Sequence, residues 1–297
     1  MSAVLRVALA AVLTVLPAPA QAQAERTLAD TTYLTTHNAH VSTGDAKWWP
    51  PNQGQSLRKQ LTDGVRGLML DLHMYGNEVH LCHNDGRECG PVPGLHHGTP
   101  RQTFAGSLRT IVDFLNENRG EVVTLLLEDY ADAPALGAAL DSVAGLNDLI
   151  FRPDAWKVRE QGWPKLSDMV AQNKRLLMLS SASGRESMGV FHGKDYTVEN
   201  YWSLGPLGDK LECVSRWSDV PLNKQEPNFK RLFVMNHFRD VPADFAARSD
   251  NGEKLAKRVR DTCTPAAGRK PNFVSVDFYE QPTSGTRPAS VVADLNR

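Results

Sequence analysis

The feature that most constrains the fold is a repeated alternation of short apolar runs with amphipathic stretches. Apolar and β-branched runs predict strands at 31–37, 65–73, 78–82, 122–127, 175–179, 232–236 and 273–278. Apolar residues at helical spacing predict helices at 56–62, 103–117, 133–146, 166–172, 252–263 and 289–296. The run VVTLLL at 122–127 is almost continuously apolar, which is typical of a strand buried in a parallel sheet.

This alternation predicts an α/β fold with parallel strands. The leading architecture is a TIM-type (β/α)8 barrel, closed or incompletely closed, and an open doubly wound sheet is the alternative. With 41% hydrophobic and 23% charged residues, the composition is that of a globular domain with a sizeable core. No linker-like shift in composition divides the chain, so we expect residues 25–297 to form one barrel domain.

The first 24 residues have the pattern of a secretory signal peptide. Arg6 precedes an apolar run, and small-residue cleavage sites follow it at 20–22 and 22–24. A membrane anchor is the less favoured alternative, because the run ends at Pro17 and Pro19 and is shorter than the roughly 18 residues that span a bilayer. We therefore expect residues 1–24 to be removed and the mature protein to be secreted or periplasmic.

Four cysteines in an exported chain favour two disulfides over free thiols. Three pairings can be drawn, and we favour Cys82 with Cys89 and Cys213 with Cys263. The first two are close in sequence, and the loop between them can close without strain. A zinc site is the alternative, but no CxxC spacing supports it.

Partners have to be predicted from local features, because the net charge is −1 and the pI is about 6.8. Such a chain has no global basic field, so we expect no nucleic-acid partner, and nothing predicts a protein partner. Trp48 and Trp49 belong to an aromatic loop, DAKWWPPNQ. The loop either makes transient contact with a membrane surface or packs over the barrel rim, and the sequence leaves both open.

Ionisable and metal-binding residues follow the apolar part of five predicted strands. They are His37 and Asn38, Asp71 and His73, His83, Glu128 and Asp129, and Asp277. The C-terminal ends of barrel strands converge on one face, where active sites of this architecture lie. Because buried carboxylates need a cation or a hydrogen-bonding partner, these residues predict a shared site.

Several of the polar residues have a structural interpretation instead. A lone histidine at a strand end is more often a hydrogen-bonded core or capping residue, which we expect for His40, His80, His192 and His237. His96 and His97 are expected at the surface, and Asp85 and Asp129 in turns or caps. We favour a functional role where strand position and residue type coincide repeatedly: His37, Asn38, Asp71, His83 and Glu128.

The motifs TTHNAH, GVRGLMLDLHMYG, EVHLCHN, VVTLLLEDY and FVSVDFY, in this order, resemble the catalytic X domain of phosphatidylinositol-specific phospholipase C. The resemblance extends from about Thr31 to Phe278 and is closest to the X-domain-containing proteins of plants and bacteria. It implies a phosphodiesterase that cleaves inositol phospholipid, or a related phosphodiester, to a cyclic phosphate and diacylglycerol.

Carried over residue by residue, the resemblance implies that His37 and His83 move protons and that Asn38, Asp71 and Glu128 bind Ca²⁺. The metal-free bacterial enzymes instead have Asp after the first histidine and Arg at the position of Asp71, so this chain is expected to use calcium. One departure is Met69, at the position of an acidic calcium ligand in the animal enzymes. Because a thioether cannot bind a hard cation, we expect weaker calcium binding.

The division of roles between the two histidines follows from the same resemblance. His37 is the base by similarity to the metal-free enzymes, although a metal-bound carboxylate can take that role in calcium enzymes, and we assign His83 as the acid. Asp277 is expected to orient a histidine by accepting its N–H, the alternative being a barrel carboxylate paired with Arg66. We expect Arg66 to brace the acidic site rather than to neutralise phosphate.

Two other functions stay open. A glycerophosphodiester-type phosphodiesterase also uses histidines and carboxylates at strand ends, but its adjacent His-Arg pair is missing here. A non-catalytic secreted barrel that binds lipid or carbohydrate is the second alternative, and Met69 keeps it open. Fold alone separates neither from a phospholipase.

Overall fold

Nine strands form one sheet in the computed structural model, which describes residues 25–45, 50–83 and 102–297. The strands are β1 (Tyr33–Thr36), β2 (Gly67–Tyr75), β3 (Glu78–Leu81), β4 (Val123–Asp129), β5 (Leu176–Ser180), β6 (Phe191–His192), β7 (Thr197–Glu199), β8 (Leu232–His237) and β9 (Phe273–Val276). Their order is β6-β5-β4-β2-β1-β9-β8-β7, with β3 pairing only with β2. All neighbours are parallel except the β2–β3 hairpin.

The eight parallel strands curl into a barrel that stays open between β6 and β7, where the described residues form no ladder. The prediction of an incompletely closed (β/α)8 barrel is therefore confirmed, and the doubly wound alternative is wrong. The sequence did not predict β6 and β7, because strands of two and three residues are too short to show an alternating pattern.

Helices cover the outside of the sheet. They are α1 (Leu57–Thr62), α2 (Phe104–Glu117), α3 (Ala133–Asp141), α4 (Leu146–Leu149), α5 (Val158–Gln161), α6 (Leu166–Ala171), α7 (Gly193–Tyr196), α8 (Asp244–Ser249), α9 (Leu255–Arg258), α10 (Thr264–Ala267) and α11 (Pro288–Leu295). Two π-helical segments, Asp250–Lys254 and Val259–Cys263, join α8, α9 and α10 into one run. The helix predicted at 133–146 is divided, because Gly145 adopts φ 77° between α3 and α4.

Strand side chains alternate between two apolar layers. The outward-facing residues, such as Leu68 and Leu125, belong to the same apolar cluster as Phe104 and Ile111 of α2. The inward-facing residues fill the lower part of the barrel, and they include Tyr33, Leu177, Leu179, Val234 and Phe273. This filling leaves space for polar side chains only above it, at the C-terminal ends of the strands.

One predicted disulfide is confirmed. Cys213 and Cys263 are bonded, with their Cα atoms 5.1 Å apart, and the bond ties the segment after β7 to the helical run after β8. The pair Cys82 and Cys89 includes a residue outside the described part of the chain. The predicted signal peptide at 1–24 also lies outside the described residues, as do Trp48, Trp49, Asp85, His96 and His97. Within the described ranges, no helix has the length and apolar character to cross a membrane.

His237 faces outward from β8 and is fully buried. Its Nε2 donates to the carbonyl of Asp250 at 2.9 Å, and its Nδ1 accepts from the Arg258 guanidinium at 3.2 Å. Burial, and then the positive charge of Arg258, lower the pKa of His237 to about 3. Since the unfolded chain protonates this histidine near pH 6.5, its contribution to stability is complete above pH 6.5 and is lost as the pH falls toward 3.

We predict that His237→Gln makes the loss of stability in acid less steep. Glutamine keeps a donor for the Asp250 carbonyl but does not titrate. Between pH 6 and 4, the unfolding free energy of the variant should therefore fall less steeply than that of the wild type, by up to about 1.4 kcal/mol per pH unit. Urea unfolding at pH 7, 6, 5 and 4 measures the difference from the wild type. Buried His40 also has a pKa lowered to about 3, so the wild type and the variant both lose stability in acid through His40. Only the difference between their two curves reports on His237. Parallel curves for the two proteins would contradict the prediction.

Candidate active site

A cavity of about 1000 Å³ opens at the C-terminal ends of the barrel strands. All five residues for which the sequence favoured a function line this cavity: His37, Asn38, Asp71, His83 and Glu128. His37 and Asn38 follow β1, and Glu128 lies near the end of β4. Asp71 lies within β2 beside Glu128, and His83 follows β3, the strand that pairs with β2. The structure therefore brings these five residues together on one face.

His37 is held from one side by a carboxylate at the end of the last strand. The β1–β9 ladder pairs Thr36 with Val276, so the next residues, His37 and Asp277, stand side by side. His37 Nδ1 lies 2.9 Å from Asp277 Oδ1. A proton on Nδ1 is the one that the carboxylate accepts, so Nε2 is the nitrogen left for chemistry in the cavity.

Phe238, just after β8, covers one face of the His37 ring. The two rings are parallel within 2°, with centroids 3.5 Å apart. The His37 side chain is only 20% exposed. The stack and the Asp277 contact together fix both the plane of the imidazole and its rotation.

Asn38 follows with a left-handed backbone, φ 43°, a conformation that asparagine tolerates better than most residues. This turn brings its side chain back toward the cavity, where it is buried. Asn38 Nδ2 donates to Asn52 Oδ1 at 3.5 Å. The carbonyl oxygen is therefore the atom of this amide that could bind a cation.

Asp71 and Glu128 are neighbours across the parallel β2–β4 ladder. Asp71 is buried, and burial together with the nearby charge of Glu128 raises its pKa to about 8, while His83 opposes this shift. Glu128 accepts a hydrogen bond from the Tyr130 hydroxyl, and this contact is the main reason that the pKa of Tyr130 is raised to about 12.

These donors suit a hard cation. Two carboxylates and one amide oxygen are the ligand types that Ca²⁺ prefers, and a cation would compensate the charge of buried Asp71. Among the described residues, no cluster of three or more His, Cys, Asp or Glu forms a ready-made metal site. Calcium held by Asn38, Asp71 and Glu128 would thus need water or substrate oxygens to complete its shell.

Another wall of the cavity contains polar residues that the sequence did not predict as part of a site. Glu199 Oε1, at the end of β7, accepts from Arg216 Nη1 at 2.9 Å and from Asn236 Nδ2 at 2.8 Å. Trp202 and Trp217 line the cavity beside them. Of these wall residues, only Asn236 could have been recognised from the sequence, because it is a polar residue at the end of an apolar run.

The expected role of Arg66 is wrong. Arg66 precedes β2, so it lies at the end of the barrel opposite the cavity. Its Nε donates to Glu121 at 2.7 Å and its Nη1 to the carbonyls of Leu61 and Val65. The alternative pairing of Asp277 with Arg66 is equally wrong, since Asp277 contacts His37 and Asn52.

Two of the structural interpretations are supported by contacts. His237 is buried outside the cavity and hydrogen-bonded, as described above. Asp129 Oδ1 accepts from the backbone of Ala131 at 2.9 Å, and its Oδ2 accepts from Ser180 and Arg185. Asp129 therefore stabilises the turn after β4.

Comparison with known proteins identifies the family. The PI-PLC X family model, described as PI-PLC X 1, matches residues 23–287. A PI-PLC X domain-containing protein of Arabidopsis thaliana is 34% identical over 263 residues, which cover 86% of this chain and 59% of that protein. An uncharacterized secreted protein of Arthroderma benhamiae is 24% identical over 262 residues, 82% of this chain and 56% of that protein.

The chain therefore belongs to the PI-PLC X family, and the resemblance seen in its motifs is confirmed. It spans only 59% and 56% of the lengths of these two relatives. Among solved structures, a mutant phosphatidylinositol-specific phospholipase C of Staphylococcus aureus matches with a TM-score of 0.56 and 11% identity, covering 94% of this chain and 97% of that one. The enzyme of Listeria monocytogenes gives 0.52 and 15%, with the same coverage. At these identities the likeness concerns the fold.

Proposed function

We propose that this protein is a secreted phosphodiesterase of the phospholipase C type that cleaves inositol phospholipid or a related phosphodiester. The observation that carries the proposal is the arrangement around one cavity: His37, oriented by Asp277, faces the same space as His83 and the carboxylates Asp71 and Glu128. This arrangement supplies an oriented base, a second proton donor and donors for a cation.

A phosphodiester resists attack because its oxygens are negative and its leaving alkoxide is basic, so charge and protons must both be managed. Calcium bound by Asn38, Asp71 and Glu128 would supply positive charge to a phosphate oxygen and lower the pKa of the attacking hydroxyl. His37 Nε2 accepts the proton of the inositol 2-hydroxyl, and Asp277 stabilises the resulting imidazolium. The hydroxyl oxygen bonds to phosphorus, the ester bond to diacylglycerol breaks, and His83 protonates the leaving oxygen.

The wall formed by Glu199, Arg216 and Asn236 suits the head group. A carboxylate, a guanidinium and an amide offer acceptors and donors for ring hydroxyls, and the nearby indoles of Trp202 and Trp217 offer apolar faces. This combination favours a polyol head group such as inositol over a smaller glycerol phosphodiester.

The exposed apolar residues favour transient contact with a lipid surface. Several large hydrophobic side chains that are exposed in the described part of the chain lie at the cavity lining or next to it. Tyr130 and Trp202 line the cavity, Tyr201 precedes Trp202, and Phe245 is three residues after the lining residue Pro242. Phe245, in α8, is 77% exposed. Since large exposed apolar residues mark interaction surfaces, we propose that this face rests on the membrane that holds the substrate.

His37→Ala and His83→Ala are each expected to lower kcat on phosphatidylinositol by roughly 10²- to 10⁴-fold, because each removes a proton-transfer group. Chromatography of the wild-type products should show cyclic inositol phosphate and diacylglycerol. His237→Gln, whose imidazole lies outside the cavity, is the matched control and should keep most of the activity at pH 7.5. Unchanged rates in folded cavity variants, or release of glycerol phosphate alone, would contradict the proposed reaction.

Asp71→Asn is expected to weaken calcium binding at least about tenfold, measured by isothermal titration, because it removes a charged oxygen donor. Asp129→Asn is the matched control. Asp129 is the next residue after Glu128, but its carboxylate is engaged with Ser180, Arg185 and Ala131. This control should lose stability and keep its calcium affinity. Equal affinities for both variants, or full activity in a chelator, would remove calcium from the proposal.

Phe245→Ser is expected to weaken partition onto phosphatidylcholine vesicles about tenfold, since burying a phenylalanine side chain contributes about 1.5–3 kcal/mol. Co-sedimentation measures the partition. The rate on a water-soluble inositol phosphodiester should stay unchanged, because Phe245 does not line the cavity. If vesicle binding is unchanged, this face is not the membrane contact.

A further inference from the structure

Asn52 is a loop residue with no sequence pattern that marks it as functional, and it is 1% exposed. Its backbone is fixed on both sides. Asn52 N donates to the carbonyl of Val41 at 2.8 Å, and its carbonyl accepts from Phe278 N at 2.8 Å. A side chain on such a rigid backbone can hold its neighbours in place.

The donor end of the Asn52 amide contacts the carboxylate behind the catalytic histidine. Asn52 Nδ2 donates to Asp277 Oδ1 at 2.9 Å, the same oxygen that accepts from His37 Nδ1 at 2.9 Å. The Asn52 nitrogen also lies 3.3 Å from His37 Nδ1, so it contacts the imidazole as well as the carboxylate. Asp277 Oδ2 is buried and, within the described ranges, has no hydrogen-bond partner. Asn52 is thus one of the two side chains that fix the rotation of this carboxylate.

The acceptor end of the same amide contacts the residue next to His37. Asn52 Oδ1 accepts from Asn38 Nδ2 at 3.5 Å. This contact turns the nitrogen of the Asn38 amide toward Asn52. It therefore determines which atom of Asn38 is presented to a cation, namely the oxygen.

We propose that Asn52 is a positioning residue that orients the catalytic imidazole and the calcium-binding amide together, through the two ends of one side-chain amide. The proposal rests on the proposed function for the roles of His37 and Asn38, but the contacts themselves do not depend on it. Only an amide serves both ends. An aspartate would still accept from Asn38 but would place a second carboxylate oxygen against Asp277.

Asn251 gives a matched comparison, because it is an equally buried asparagine whose side chain bonds only to backbone carbonyls. It is 2% exposed, and its Nδ2 donates to the backbone carbonyls of Asp277 at 2.8 Å and Phe278 at 3.2 Å. Among the described residues, its side chain makes no hydrogen bond to the Asp277 carboxylate or to Asn38. A general loss of a buried amide should therefore look alike in Asn52→Ala and Asn251→Ala.

The test compares the wild type, Asn52→Ala, Asn52→Asp and Asn251→Ala in three measurements at pH 8. Thermal melting reports stability, isothermal titration reports calcium affinity, and ¹⁵N NMR of the histidine side chains reports which nitrogen of His37 carries the proton. Phosphodiester hydrolysis adds kcat and KM where turnover is found. The NMR readout needs neither turnover nor metal, so it remains informative if the proposed function fails.

We expect Asn52→Ala to lose the Nδ1–H tautomer of His37 as the dominant form, to bind calcium 10- to 100-fold more weakly and to lower kcat 10- to 100-fold with KM within about threefold. Asn52→Asp should lose the tautomer and kcat to the same degree but should not bind calcium more weakly, because its acceptor remains. Asn251→Ala should melt lower with the tautomer and calcium affinity of the wild type.

The proposal is overturned if Asn52→Ala keeps both the His37 tautomer and the calcium affinity of Asn251→Ala. It is also overturned if Asn52→Asp and Asn52→Ala lose calcium affinity equally, because the acceptor end would then have no role. A wild type that binds no calcium would refute the metal part of this proposal and of the proposed function. The tautomer measurement would still decide the part that concerns His37.

Discussion

The candidate site depends on one long-range constraint, the parallel pairing of β1 with β9. These strands are 240 residues apart in sequence where His37 meets Asp277, and the ladder runs Tyr33–Phe273, Leu34–Val274, Thr35–Ser275 and Thr36–Val276. A slip of one residue would turn every side chain of β1 to the opposite face of the sheet. The imidazole and its carboxylate would then no longer point into the same cavity.

Side-chain size fixes this register from below. Tyr33 and Phe273 stack at 5.9 Å in the lower barrel, and the next inward pair, Thr35 and Ser275, is small. Gly67 on β2 completes this narrow layer, since a Cβ there would come within 2.2 Å of the Thr35 side chain. The large rings below and the close strand contact above both disfavour a shifted alignment, so packing in the lower barrel supports the geometry of the site above it.

The two walls of the cavity differ in how their charges are compensated. Glu199 is neutralised within the protein by Arg216, which is itself 37% exposed at its side chain. Asp71 instead has Glu128 as its neighbour, and burial next to that charge raises the pKa of Asp71 to about 8. The positive charge of Arg216 also acts on Glu128, but buried Asp71 stands beside a like charge, so this wall gains stability from a cation that binds it. This asymmetry is the electrostatic argument for placing a metal beside Asp71 and a head group beside Arg216.

The sequence predicted the parts of the site that follow long strands and missed the parts that do not. His37, Asp71, Glu128 and Asp277 follow apolar runs that were recognisable, and all of them reach one end of the barrel. The misplaced residue, Arg66, stands at the beginning of such a run, so the same rule would have placed it at the opposite end. Glu199 ends a strand of three residues, and Asn52 and Arg216 lie in irregular segments. Their contacts depend on tertiary packing, which leaves no local pattern.

Met69 lies where the apolar interior of the lower barrel meets the polar site on the same strands. On adjacent strands, Met69 pairs with Leu126 and Leu126 with Leu179, and one step higher on the inward face Asp71 pairs with Glu128. These residues form successive layers, since inward-facing side chains of neighbouring barrel strands stack at common levels. Met69 packs against the apolar cluster of the lower barrel while also lining the cavity. A carboxylate at position 69 would lie in the apolar layer, where its desolvation is costly unless a cation compensates it. Methionine therefore adds apolar packing to the lower barrel. Cation binding is left to the layer of Asp71 and Glu128.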